Sequence, residues 1–395
     1  MKILLLSHCF PPAADGGSVT FGYLVKALTK AGIKTEVLTS NCFSTDDFVN
    51  KNSKTILPRQ EKKENLLINR LAVFKRGRRV FKLLEKVLGR GVWSLFGKGP
   101  IFTNFKVLFK KRKIDWVVSG LFPTLAPFWG YLLAKKNKAK FALVPGFHAC
   151  DFDYQNHYLV KLLKKADLVF CFTNWEKKHY QMLGINEKKL IVIGNIAPGN
   201  LFKTYSKKAA PFPKNPSVLF FGVKAAHKRI DFLIEAMEIV WRKNKRARLV
   251  IAGPETLSSP KIIKKIQKLK PAFKRQVKYY SRVSEKKKIS LLDGATVLVN
   301  SSLAESFSLV LMDSWSRKKP VIGTNLPVKK ELITDNKDGF LFKKDSVEDL
   351  ASKILKIIEN QKKARKMGEY GYNKVIKKYT FNKVGNKFLK ALKEK

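Results

Sequence analysis

The sequence predicts an α/β protein made of two doubly wound halves, and three observations lead there. A chain of 395 residues exceeds what one hydrophobic core serves well, so two domains of roughly 200 residues or fewer are expected. Short, continuous apolar runs alternate with helical stretches, the pattern of parallel strands covered on both faces. The alternation breaks off once, over residues 203–216, which are rich in Lys, Ala and Pro and carry no periodicity.

The first half, residues 1–199, opens on the run Ile3-Leu4-Leu5-Leu6, a buried strand at 2–7. Phe21, Leu24, Val25 and Leu28 then recur at helical spacing. Further strands are expected at 35–39, 115–119, 140–144, 167–172 and 189–193, each a brief aliphatic or aromatic run. Residues 200–216 form the linker. The second half, 217–379, repeats the alternation with strands at 217–222, 248–253, 276–280, 295–300, 320–323 and 339–342, and its helices include 346–360 and 361–378. Residues 380–395 form a terminal helix expected to return to the first half.

The formal net charge of +50 calls for a polyanionic partner, an anionic bilayer surface, or a lineage bias toward lysine, and charge alone does not choose. Runs such as Lys286-Lys287-Lys288 are spread over solvent-type positions. Specific nucleic-acid binding is not expected, because no helix-turn-helix, zinc-finger or aromatic RNA-binding signature occurs. Cys9, Cys42, Cys150 and Cys171 stand singly, which argues against a disulfide framework or a zinc site and suits a reducing cytosol. The apolar run at the amino terminus is cut short by Pro11-Pro12 and Gly16-Gly17, and no segment reaches about 18 uninterrupted apolar residues. Residues 65–114 mix Arg70, Arg76, Arg78, Arg79 and Arg90 with leucines, phenylalanines and Trp93, while Glu85 is the only acid. This basic amphipathic stretch reads either as an interfacial membrane helix or as an ordinary surface helix.

The most informative motif lies at Ser301–Ser314, where Glu305 and Asp313 stand eight residues apart around an apolar run that follows a strand. A strand-loop-helix junction points the first N–H groups and the dipole of its helix at the loop, which suits an anion, and nearby carboxylates suit sugar hydroxyls. Gly16-Gly17, after the first strand, would let backbone N–H groups approach a phosphate. Beyond the strand 217–222, Gly222 is followed by Lys224 and Lys228, cations placed to neutralise a diphosphate. Gly253, which ends the next strand, joins the donor-binding candidates. No metal-ligand constellation is found, and no cofactor is expected.

These motifs resemble those of the retaining glycosyltransferases of family 4, which have the GT-B fold. The shared features are a Gly-Gly loop after the first strand, a Gly-x5-Lys loop at Gly222 to Lys228, and an acid-x7-acid motif at Glu305 and Asp313. The resemblance implies two Rossmann-like domains facing a central cleft and a nucleotide-sugar donor. It implies catalytic roles for Glu305, His148 and Lys228, with Glu305 on the donor sugar and His148 beside it. The backbone of Phe307, Ser308, Leu309 and Val310 would meet phosphate and ribose oxygens, Asp313 the ribose hydroxyls, and Gly17 the phosphate. It further implies metal-independent, front-face transfer with retention. The expected acceptor is lipid-linked or a cell-envelope polysaccharide, met by a cytoplasmic enzyme that is peripheral on the inner face of the cell membrane. Four places depart from the family pattern: Asp313 stands for Glu, Ser306-Phe307-Ser308 for Gly-Phe-Gly, Gly222-Val223 for Gly-Arg, and Lys318 for the small residue before the Pro-Val-Ile strand. A non-enzymatic polyanion binder and a degenerate, inactive copy are the competing readings.

Overall fold

The computed structural model describes residues 1–13, 15–75, 83–84, 86–87, 91–148, 154, 156–202 and 215–395. The chain divides into two units, Met1–Ile196 with Asn382–Lys395, and Ala197–Phe381.

The first unit is built on β1 (Lys2–Ser7), α1 (Gly16–Lys30), β2 (Lys34–Ser40), β3 (Gln60–Lys63), β4 (Leu66–Leu71), α2 (Gly91–Lys98), β5 (Trp116–Gly120), α3 (Ala126–Asn137), β6 (Lys140–Leu143), α4 (His157–Lys165), β7 (Leu168–Cys171), α5 (Asn174–Met182) and β8 (Leu190–Val192). The strands lie in the order β3-β4-β2-β1-β5-β6-β7-β8, parallel except for β3 against β4. Ile3, Leu4, Leu5 and Leu6 are wholly buried, as a central strand covered on both faces requires. β1 has β2 on one side and β5 on the other, so the strand order reverses there and the loops after β1 and β5 flank a crevice at the carboxyl ends.

The stretch 65–114 is not one amphipathic helix. Residues Leu66–Leu71 form β4, paired in parallel with β2 from Thr35 opposite Leu66 to Ser40 opposite Leu71. Arg70, a basic residue of that stretch, is buried: it pairs with Glu61 and donates to the Pro11 carbonyl at 2.8 Å. Asn69 donates to Glu36, which also pairs with Arg112 at 3.0 Å. Beyond these strands Leu95, Phe102 and Leu108 are buried in the core. Arg76, Arg78, Arg79, Lys82 and Arg90 lie outside the described residues.

The second unit runs β9 (Ser217–Phe221), α6 (Ile230–Lys243), β10 (Arg248–Ala252), α7 (Ser259–Gln267), β11 (Val277–Tyr280), α8 (Glu285–Gly294), β12 (Val297–Asn300), α9 (Leu309–Ser316), β13 (Val321–Thr324), α10 (Pro327–Leu332), β14 (Gly339–Phe342), α11 (Val347–Ile358) and α12 (Gln361–Lys378). All strands are parallel, in the order β11-β10-β9-β12-β13-β14. Val218, Leu249, Ile251, Val297 and Ile322 form the buried centre with Trp241, Met237 and Ile354 from the helices. The order reverses between β9 and β12, so the loops leaving those two strands share the switch point of this sheet.

The last helix, α13 (Phe381–Glu394), belongs from Asn382 onward to the first unit. Phe388 packs on Phe170 of β7 with ring centroids 4.6 Å apart, and the indole N–H of Trp116 donates to the Leu392 carbonyl at 3.1 Å. Among the described residues, no helix is long and apolar enough to cross a membrane.

Candidate active site

Two loops meet at the switch point of the second sheet. The loop after β9 carries Lys228, and the loop after β12 carries Glu305. They are stitched together by hydrogen bonds to backbone carbonyls: the Ser301 hydroxyl donates to the Lys228 carbonyl at 2.7 Å, and the Leu303 N–H to the His227 carbonyl at 2.9 Å. Lys228 Nζ then reaches across to Glu305 Oε1 at 2.7 Å, and Asn300 Nδ2, at the end of β12, donates to the same oxygen at 3.1 Å.

Burial alone would raise the pKa of Glu305. The ammoniums of Lys228 and Lys329, with the hydrogen bonds from Lys228 and Asn300, outweigh burial and hold the carboxyl at about 2. Glu305 is therefore a fixed anion at neutral pH that can accept hydrogen bonds from a ligand's hydroxyls. Its side chain keeps 10% of its surface and that of Lys228 20%, so both remain within reach of a bound molecule.

The loop ends at Ser308, whose φ of 66° and ψ of 73° are left-handed. Serine at this position is strained where glycine would be free. Its hydroxyl accepts a 2.5 Å hydrogen bond from Asn300 Nδ2, which helps to hold the conformation. Helix α9 starts at the next residue, with no acidic residue in its first turn. The amides of Leu309 and Val310 are among the N–H groups for which a helix supplies no partner. Phe307 is buried edge-on against Tyr379 at 5.3 Å, so that residue offers the site its backbone only.

One turn into α9, Asp313 is 4% exposed. Its Oδ2 pairs with Lys288 Nζ at 2.8 Å, while its Oδ1 is buried with no partner. Burial raises the Asp313 pKa, and Lys288 only partly offsets the effect. A buried carboxylate oxygen without a donor costs about 1–3 kcal/mol, a cost that a ligand hydroxyl would remove.

Lys224 plays a different part from Lys228. It is wholly buried, and its Nζ donates to the carbonyls of Gly253 (2.5 Å) and Tyr280 (2.8 Å) and sits 4.2 Å from the Tyr279 ring centroid. Burial pushes its pKa down to about 8. This lysine ties the ends of β9, β10 and β11 together instead of facing a ligand. Gly253 has φ 134°, and a Cβ there would stand 2.1 Å from the Gly222 carbonyl oxygen. The strand ends approach so closely that only glycine fits.

In the first unit, Gly16 and Gly17 open α1, and the N-cap Asp15 accepts from the Ser18 N–H at 3.0 Å. Asp15 also faces His8 Nε2 at 3.3 Å. Burial raises its pKa, but His8 and the Ser18 hydrogen bonds bring it down to about 2. This helix start already holds an anion, and the amides of Gly16 and Gly17 are what it leaves for a phosphate. His8, Cys9 and Asp15 present metal-type donor atoms within 4.8 Å of one another. Burial first, then Asp15, pushes the Cys9 thiol well above its usual range, so it is protonated and a poor ligand. His148 follows β6 and stacks on Tyr154 with centroids 5.1 Å apart. The preceding residue is anchored: the Phe147 N–H donates to Glu176 Oε1 at 3.0 Å, and the same carboxyl accepts from the Phe172 N–H and the Tyr180 hydroxyl.

In the second unit, Asn300, Lys288 and Lys329 thus join the residues expected from sequence. With this geometry in hand, two glycosyltransferase family models match the chain in turn. The model described as Glycosyltransferase Family 4 matches residues 14–197, and the one described as Glycosyl transferases group 1 matches residues 202–374. The poly(ribitol-phosphate) alpha-N-acetylglucosaminyltransferase of Staphylococcus aureus is 28% identical over 163 residues, 41% of this chain and 32% of that protein. The chain spans less than half the length of the curated relatives it matches. Among solved structures, sucrose-phosphate synthase from Thermosynechococcus elongatus superposes with a TM-score of 0.78 at 17% identity, covering 100% of this chain and 98% of that one. Anabaena HepE, solved with UDP and glucose, gives 0.74 at 15% identity with both chains fully covered. With both units matched in turn, the chain belongs to the family 4 glycosyltransferases and has the GT-B fold.

Proposed function

We propose that this chain transfers a sugar from a nucleotide-sugar donor to a lipid-linked or cell-envelope glycan, with retention of configuration and without a divalent metal. The observation that carries this reading is the contact of Glu305 with Lys228 at the switch point of the second sheet, one loop before the start of α9. An anion suited to sugar hydroxyls, a cation suited to a diphosphate, and free helix amides stand together there.

In this reading, Lys228 and the amides at the start of α9 take the diphosphate, the unpartnered Asp313 Oδ1 takes a ribose hydroxyl, and Glu305 holds hydroxyls of the transferred sugar. The sugar–phosphate bond breaks as the acceptor hydroxyl approaches the same face, and the leaving phosphate oxygen takes the acceptor's proton. Positioning and fixed charge supply the rate enhancement, so no protein nucleophile is needed.

The acceptor class is favoured by the Staphylococcus aureus relative, named for a poly(ribitol-phosphate) acceptor, and by the net charge of +50, which suits an anionic polymer or membrane surface. Phe74, Leu83, Val87 and Phe105 are exposed apolar residues within the basic stretch, in keeping with membrane association there.

The test is transfer from UDP-sugars of α configuration to glycan acceptors, with the product anomer read by NMR in the presence and absence of EDTA. An α-linked product formed equally well in EDTA is expected. A β-linked product, or complete dependence on added metal, would overturn the proposed mechanism.

A further inference from the structure

Behind the Glu305 loop lies a lysine that the donor-site reading does not use. Lys329, on α10, is 0% exposed. Its Nζ donates to the carbonyls of Asn300 and Ser302, both at 2.8 Å, which belong to the loop carrying Glu305. Gly323 on β13 makes room for it: a Cβ there would stand 3.1 Å from Lys329 Cδ. The charges that bear on Lys329 are Glu305, which attracts its ammonium, and Lys228, which repels it. One carboxylate therefore balances two lysines.

Lys228 already spends its ammonium on Glu305, the partner it must leave, at least in part, to meet a diphosphate. Its departure would strip Glu305 of its closest counter-charge while the donor brings further negative charge beside the same loop. We infer that Lys329 is a positioning residue that supplies the missing counter-charge, taking up a proton as Lys228 turns from Glu305 to the donor. This rests on the reading that the diphosphate binds at Lys228.

The hydrogen bonding suits such a switch. A neutral amine has two N–H groups, enough for the two carbonyls, whereas an ammonium has a third. Burial first, then repulsion from Lys228, brings the Lys329 pKa down to about 7 despite the attraction of Glu305. In the free protein, neutral and charged forms are thus both accessible near neutral pH. Donor binding removes repulsion and adds negative charge, and both changes favour the ammonium. The loop hydrogen bonds persist in either form, so the switch alters charge without rebuilding the site.

Calorimetric titration with an intact nucleotide sugar tests this, because a donor diphosphate esterified at both ends has no group titrating near neutrality. Measured at about pH 8 in buffers of different ionisation enthalpy, the wild-type protein should take up a proton on binding. Lys329→Met should bind without that uptake and roughly tenfold more weakly. Should Lys329→Met fail to fold, Lys228→Met decides, since it removes the charge whose movement drives the uptake; weaker binding without proton uptake is expected. Binding with heats independent of the buffer, or uptake unchanged in either variant, would overturn the inference while leaving the donor site intact. No binding of any UDP-, GDP- or ADP-sugar would overturn the donor-site reading, and this inference with it.

Discussion

Lys228 Nζ lies 2.7 Å from Glu305 Oε1, an ion pair that joins the loops after β9 and β12 within one sheet. The pair holds the candidate anion and cation against each other. Donor binding on this account is an exchange of partners: the cation gains a diphosphate, and the carboxylate gains sugar hydroxyls. Preorganised charge of this kind acts without reorganising at the moment of reaction.

Replacing Glu305 with Gln keeps its shape and removes its charge. Turnover should fall by a factor on the order of 100 or more, with far-UV circular dichroism unchanged. Turnover of the variant equal to wild type on every accepted donor would remove Glu305 from the catalytic set.

The same substitution makes a pH prediction. The folded-state pKa of Glu305 is lowered from 4.5 to about 2, so its ionised form stabilises the fold fully above the unfolded value and loses that contribution as pH falls from 4.5 toward 2. Across that window the wild type should lose on the order of 2–3 kcal/mol more than Glu305→Gln, measured by urea unfolding. Parallel pH curves would contradict the assignment.

Much of this site is legible in the sequence, and the rest is hidden for identifiable reasons. Glu305, Asp313 and Lys228 are found because each follows a strand ending at fixed spacing, and position after a strand is what a switch point uses. Lys329 is invisible because it stands beside Lys330 in a lysine-rich chain. Only the register of the short helix α10 turns Lys329 inward while Lys330 stays exposed. Lys224 misleads in the opposite direction: its place after β9 suits a ligand, but its ammonium folds back onto two carbonyls. β3 is missed because Gln60–Lys63 carries no apolar residue, and β4 because Arg70 is taken into the basic amphipathic stretch, whereas Asn69 and Arg70 are buried. Their burial depends on Glu36 and Glu61, partners distant in sequence or on the facing strand.

Asp313 and Lys288 can be separated by a double-mutant cycle. Asp313→Leu alone leaves Lys288 buried without its counter-charge and should cost about 3 kcal/mol. Adding Lys288→Met should recover most of that stability, as read by thermal unfolding, yet donor KM should stay raised roughly tenfold, because the acceptor for the ribose hydroxyl is gone. Recovery of donor KM together with stability would show that Asp313 serves only the fold.

The paired glycines at the start of α1 should respond differently. A Cβ on Gly16 meets nothing within 4 Å, whereas one on Gly17 would stand 2.2 Å from Leu121 Cδ1 and 2.9 Å from His8 Cε1. Gly16→Ala should unfold as the wild type does, and Gly17→Ala should be destabilised by about 1–3 kcal/mol. Equal stability of the two variants by thermal unfolding would contradict this packing.

Membrane association is checked with vesicles containing anionic lipid. Neutralising Arg76, Arg78 and Arg79 together should weaken sedimentation with the vesicles by about 1 kcal/mol per charge removed. Partitioning unchanged by the triple substitution would return the stretch to ordinary surface.

The central claim, a nucleotide-sugar site built on Glu305 and Lys228, is met most directly by a thermal-shift panel of UDP-, GDP- and ADP-sugars on the wild type and Lys228→Met. One donor class should stabilise the wild type by about 2.7 kcal/mol at 100 times its dissociation constant, and should lose most of that effect in the variant. Equal stabilisation of both proteins, or of neither by any member of the panel, would contradict it.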